Sequence, residues 1–531
     1  MQYRPSDGTV RGKEDCLYLD VYTPKNFKNV YGNLPVVVFI PGADFQTGGK
    51  EDVTAGYDYG VSSVFVVVNY RLGPLGFLST EDTHGPGNLG LWDQQAALKF
   101  VKENIASFGG DPSKITLMGF GAGAMSVSFH LLNRVSSGLF QFAIMSGGSA
   151  TSPDATVDRA REKAEKLGSL LGCGHKEGQE LLNCLREVDP AQLVRSARQG
   201  KLKFLPVVDA NVTRAAFLQD RPEALYGSSF TPKPTIYGYT KDAGAMRFFE
   251  KMDVAGEGKS VDEIVQTFLN EYFLDTDSRV GITAAVKYQY FRPRSSRTNA
   301  TSNAINTIKM LTDFLVAAPV HFALYSHMMK GATQKAYLYV FGYPSGGRTF
   351  ARKEQRELYG ATYMDDMLYT VNSPMTNGAS DTTTQYRDQV LLSTMGTYFA
   401  SFIRSGVPGG SLSRPMSLTA PHYANITKNN PNGETSQEPY RSQEMAFWNV
   451  FVPDLHTQLN QTSWSSYMRA READHFRSAT WGTVTVIVLL VLILVGLVAA
   501  FFVYRRQRQR SKREAVEFKP LPSQSGNQPQ L

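Results

Sequence analysis

Between Gly482 and Tyr504 the chain runs for 23 residues without a charge, GTVTVIVLLVLILVGLVAAFFVY. About 20 apolar residues in a helix cross the hydrocarbon core of a bilayer. Trp481 and Tyr504 stand at the two edges, where interfacial aromatics sit. Arg505, Arg506, Arg508 and Arg510 follow at once. The positive-inside rule puts that flank in the cytosol. The alternative, a buried core helix, does not account for the one-sided basic flank. The segment therefore predicts a single-pass span over 482–504, with a body outside the cell and a short basic tail, 505–531, inside.

Charge agrees with this division. The tail holds seven Lys/Arg against Glu514 and Glu517, and so carries +5 of the formal +7. The rest of the chain is nearly neutral, which gives no electrostatic footprint for nucleic acid. Four N-x-S/T sequons begin at Asn211, Asn299, Asn425 and Asn460, all before the span. They are candidate glycosylation sites on the outer side. Met1 to Asp20 has no apolar signal region. An outside body without a leader predicts that the sequence is N-terminally incomplete.

The body, about residues 1–455, reads as one fold. Leu34–Ile40, Val64–Tyr70, Ile115–Gly119, Phe142–Ser146 and Ala336–Phe341 are short β-branched or apolar runs closed by Gly or Pro. Such runs suggest strands buried on both faces of a mostly parallel sheet. Helical spacing separates them at 89–108, 158–171, 305–329 (with a break at Pro319) and 386–404. Alternation of strand and helix predicts an α/β sheet with right-handed crossovers. Residues 405–480 read as loop-rich, with 456–481 as a stalk before the span.

Four ordered segments resemble the type-B carboxylesterase/cholinesterase family: Glu14–Tyr22 (EDCLYLDVY), Asn69–Phe77 (NYRLGPLGF), Gly87–Leu98 (GNLGLWDQQAAL) and Asn104–Pro112. The resemblance covers about residues 10–455 and implies an α/β-hydrolase fold. It also implies a disulfide between Cys173 and Cys184, and a partner for Cys16 upstream of the present sequence. Three buried thiols are the alternative. No metal or cofactor is implied.

The same resemblance locates the residues of ester hydrolysis, and here the pattern fails. The nucleophile elbow G-x-S-x-G aligns with Gly119-Phe120-Gly121-Ala122-Gly123, so Gly121 holds the serine position. The base segment aligns with Gly360–Met367 and puts Tyr363 at the histidine. The acid segment aligns with Gly238–Gly244 and puts Ala243 at the glutamate, beside Asp242. The oxyanion loop aligns with Gly42, Ala43 and Asp44, where a carboxylate is expected near the site of developing negative charge. A tyrosine, with an ordinary pKa near 10, is a poor general base at neutral pH.

These substitutions imply a catalytically inactive member that works in cell adhesion or receptor binding, as neuroligins and gliotactin do. The expected partner is an extracellular protein receptor at the plasma membrane. A homodimer through late helices, with Tyr386–Ile403 as one of them, is also expected; an ordinary core helix is the even alternative there. The competing function is a carboxylic ester hydrolase, or a carrier of an apolar ligand in the gorge above Gly121.

Overall fold

The computed structural model describes residues 1–4, 8–25, 33–42, 44–53, 55–56, 63–251, 260–273, 276–291, 300–331, 335–344, 359–372, 382–419, 421–437, 440–461, 505–506 and 508. The chain divides into two compact units, Met1–His456 and Thr457–Leu531. The expected span, 482–504, lies outside the described residues. In the second unit, Arg505, Arg506 and Arg508 are exposed.

The first unit is built on a nine-stranded sheet. Seven strands run parallel, in the order Tyr423–Thr427, Ala336–Gly342, Thr235–Thr240, Phe142–Ser146, Gly110–Phe120, Leu34–Ile40, Val64–Val68. Leu19–Tyr22 and Glu434–Ser436 pair antiparallel at the two edges. The β-branched runs are explained by their two buried faces. Val36, Val38 and Ile40 enter one core with Leu117 and Met145, while Val37 and Phe39 enter the other with Met118 and Ile144. Successive side chains alternate across a strand, so a run buried on both faces has no room for polar positions.

Helices cover both faces. Leu89–Asn104, Ala122–Leu132 and Ala318–Met329 lie in the first core. Thr382–Ser405 lies in the second. Two expectations change here. Pro319 does not break its helix, because a π-turn over Asp313–Ala317 shifts the hydrogen-bond register just ahead of it. The stretch Thr301–Met329 is also the one described helix long and apolar enough to cross a membrane, but 83% of its apolar window is buried in this body. The supposedly loop-rich region after residue 405 contributes the strand Tyr423–Thr427.

The helix proposed for a dimer face is a core helix. Leu391, Met395, Tyr398, Phe399 and Phe402 are all 1% exposed or less and pack beneath the sheet. Its apolar stripe is satisfied within one chain.

Polar groups tie the layers together. On strand Thr235–Thr240, Tyr237 and Tyr239 share a face and bond His327 Nδ1 at 3.0 Å and His321 Nε2 at 2.9 Å on the helix above. Burial pushes the His321 imidazolium down to about 4. The Cys173–Cys184 disulfide is formed and closes the turn before helix Gly178–Arg186. Among the described residues Cys16 has no disulfide partner.

Two of the sequence motifs meet in one ion pair. Arg71 Nε and Nη2 donate to Asp93 at 2.8 and 2.7 Å, and the Arg71 backbone N–H adds a third bond at 3.1 Å. Asp93 is buried, and Arg71 is one-third exposed. Removing one partner of such a pair strands the other, at about 3 kcal/mol. Asp93→Ala should lower stability by about that amount in a denaturant titration, while the double change to Asp93→Leu and Arg71→Leu should recover much of it.

Candidate functional site

Strand Gly110–Phe120 turns sharply into helix Ala122–Leu132 at Gly121, whose backbone sits at φ 57°, ψ −124°. Gly121 N–H donates to Ser146 O at 2.9 Å, and its carbonyl accepts from Met125 N–H at 3.0 Å. The flanking glycines are required by packing. A methyl group on Gly123 would stand 2.1 Å from the Ile40 carbonyl oxygen, and one on Gly119 would stand 2.3 Å from the Gly123 oxygen. The elbow expected from the sequence is therefore built, with no side chain at its apex.

The oxyanion loop follows strand Leu34–Ile40. Gly42 accepts from Gly123 N–H at 3.4 Å, which sets this loop against the start of the elbow helix. Ala43 lies outside the described residues. Asp44 does not aim its carboxylate freely inward. It is exposed, and Oδ1 accepts from Gln46 N and Thr47 N, each at 3.0 Å, and from Thr47 Oγ1 at 3.1 Å. Asp and Asn commonly hold turns in this way. The charge acts inward only at longer range.

Tyr363 reaches the elbow. A methyl group on Gly147 would lie 3.4 Å from the Tyr363 ring and 3.6 Å from Gly121 N, so the ring and the elbow flank one point. Burial holds the phenol well above its ordinary value, and the carboxylates of Asp154, Asp44 and Asp366 push it further the same way. The hydroxyl keeps its proton throughout the neutral range.

Ala243 is buried in the turn after strand Thr235–Thr240. The adjacent Asp242 is engaged by the base segment. Its N–H donates to Ala361 O at 3.0 Å, and its Oδ2 accepts from Gly360 N at 2.8 Å. This double clamp joins the acid segment to the base segment. The structure thus brings the Tyr363 ring to the Gly121 elbow and ties the segment carrying Ala243 to the segment carrying Tyr363.

One buried group was not singled out from the sequence. Asp366 accepts from Ser146 Oγ, and from Tyr339 Oη at 2.7 Å. Burial raises its pKa and the two hydroxyl donors lower it, with burial the larger effect. It braces the base segment on two strands of the sheet. Its place within Gly360–Met367 was visible, but its partners lie 220 and 27 residues away.

Among the described residues, no group of three His, Cys, Asp or Glu side chains is placed to hold a metal ion. Of the sequons, Asn211 is exposed in a turn. Asn425 lies on the strand next to the sheet edge, paired to Val340 on one side and Glu434 on the other. Asn299 lies outside the described residues, and Asn460 falls on helix Val452–Gln461.

Comparison with known proteins agrees with this architecture. A model of the carboxylesterase family matches residues 1–448. Bile salt-activated lipase of Mus musculus is 31% identical over 482 residues, which span 84% of this chain and 76% of that protein. Acetylcholinesterase of Bungarus fasciatus is 29% identical, over 87% of this chain and 78% of its own. Neuroligin-like protein glit-1 of Caenorhabditis elegans is 28% identical, over 91% of this chain and 70% of its own. With the elbow, the parallel sheet and the converging loops in place, these matches establish that the chain belongs to the carboxylesterase family.

Proposed function

We propose that the protein is a non-catalytic, cholinesterase-like cell-surface protein that acts through its body in adhesion or receptor binding. The observation that carries this reading is the elbow. At its apex Gly121 has no atom that could attack a carbonyl, and the nearest side chain at the base position is a protonated phenol. Losing a single triad member already removes several orders of magnitude of rate. The neuroligin-like relative favours this reading. Lipase and esterase relatives of similar identity favour hydrolysis instead, so turnover is the deciding measurement.

The body is proposed to stand outside the cell, on the 482–504 span, with the basic tail inside. Self-association is proposed through a surface other than helix Thr382–Ser405. Met329, Val450 and Phe451 are 72%, 58% and 51% exposed. Met329 and Val450 border an open groove of about 520 Å³ with Phe322 and Tyr325. A two-fold contact places the same patch on both partners, and such an apolar edge suits it.

Purified protein should hydrolyse aryl or choline esters no faster than a heat-denatured sample. Gly121→Ser alone should not raise that rate, since base and acid are still absent. Turnover that persists through purification and is abolished by covalent organophosphate labelling would sink the proposal. For the orientation, an epitope after Leu531 should be stained only in permeabilised cells, and glycosidase should shift the apparent mass. For self-association, light scattering at micromolar concentration should return twice the chain mass, and Val450→Glu with Phe451→Glu should return the single mass.

A further inference from the structure

Just ahead of helix Ala318–Met329 a carboxylate is buried. Asp313 opens the π-turn Asp313–Ala317, and its side chain is 1% exposed. Its Oδ2 accepts two bonds, from Tyr290 Oη at 2.7 Å and from Arg441 Nη2 at 2.6 Å. Among the described residues nothing bonds its Oδ1 or the Nε of Arg441, and both atoms are buried. The ion pair is therefore one-pronged. A carboxylate out of water is costly unless its partner is well placed and both of its oxygens are filled.

One segment, Arg441–Phe451, covers this carboxylate. Arg441 stands at φ 46°, ahead of helix Ser442–Ala446. Trp448 lies in a second π-turn, Phe447–Phe451. Its ring packs on Phe314 with centroids 4.5 Å apart, and its indole N–H donates to Tyr290 Oη at 2.7 Å. Asn449 Nδ2 donates to Ala318 O at 2.8 Å, directly after the first π-turn. The hydrogen-bond chain Trp448–Tyr290–Asp313 thus joins the two π-turns, a kind of turn found frequently at functional sites. Lifting the segment would take Arg441 and Trp448 away and admit water to Asp313.

Other charges bear on Asp313 from each side. Glu444 Oε1 lies 3.4 Å from the same Arg441 nitrogen. Lys309 acts from the preceding helical turn, and the phenols of Tyr239 and Tyr440 feel the Asp313 charge. Burial pushes the Asp313 carboxyl from its ordinary 3.8 up to about 7, while Arg441 and the Tyr290 hydroxyl pull it down. A proton on Oδ1 displaces no bond, because both donors sit on Oδ2. Glu444 then remains beside Arg441 as its counter-charge.

We propose that Asp313 is a proton-operated latch on the segment Arg441–Phe451, which it holds closed when protonated and lets open when ionised. In the closed form the carboxyl takes up its proton near neutrality, whereas opened to water it ionises near 3.8. Closure is therefore strongest below about pH 4 and weakens as pH rises through about 7. Val450 and Phe451 ride on this segment, but the latch does not depend on self-association.

Hydrogen exchange of the full chain tests this, with each rate corrected for the intrinsic effect of pH. Amides of Arg441–Phe451 should be about tenfold better protected at pH 6 than at pH 8, while those of helix Leu89–Asn104 should show no such change. Asp313→Asn, neutral at either pH, should keep the stronger protection at both. If that variant does not fold, the unaltered chain still decides. Protection of Arg441–Phe451 that is flat, or that rises with pH, would overturn the proposal, as would a pH dependence that survives in Asp313→Asn.

Discussion

The fold rests on one close approach. The first turn of helix Ala122–Leu132 comes so near strand Leu34–Ile40 that only a hydrogen atom fits between the Gly123 Cα and the Ile40 carbonyl. That contact sets the helix on the sheet, brings Gly42 within reach of Gly123 N–H, and aims the elbow at the space where the other loops converge. The site is positioned by strand ends, the elbow, the clamp of Asp242 on Gly360 and Ala361, and the Asp366 carboxylate on Ser146 and Tyr339. Such a scaffold does not need its catalytic side chains in order to form. The fold is complete with Gly121 at the elbow apex, Tyr363 beside it and Ala243 in the turn after strand Thr235–Thr240.

Much of this was legible in the sequence, for physical reasons. Strands buried on both faces must be continuous apolar runs, and Leu34–Ile40 and Val64–Val68 stand out for that reason. Packing glycines cannot be replaced, so Gly119 and Gly123 anchor the elbow and fix Gly121 between them. The segments around Arg71 and Asp93 are recognisable motifs because a buried ion pair needs both partners. Thr235–Thr240 and Tyr423–Thr427 were not legible. They are short, and they carry Gly238, Asn425 and tyrosines whose hydroxyls find partners only in the folded chain. Helix Thr382–Ser405 shows the limit of periodicity, since an apolar stripe has the same appearance whether a sheet or a second molecule covers it.

The site divides in the same way. The elbow and Tyr363 could be placed from local pattern, because a motif spans a few residues. Asp44 could be placed, but not aimed; its turn with Gln46 and Thr47 is a local competition among hydrogen-bond donors that composition does not reveal. The Asp366–Ser146 contact joins residues 220 apart. Each alone is an ordinary polar residue. Only the crossover topology, which returns successive loops to the same end of a parallel sheet, makes them neighbours.

The backbone at Gly121 has a further consequence. At φ 57° and ψ −124° a glycine is unstrained, whereas any residue with a Cβ is held there at a cost of about 1–3 kcal/mol. In a working hydrolase of this architecture that strain is the standing cost of presenting a nucleophile. Here it is absent, and the stability it would consume is retained by the fold. Placing any side chain at this apex therefore runs uphill in stability. A serine at 121 would bring that strain back at once, and on the proposed non-catalytic reading it would confer no rate in return.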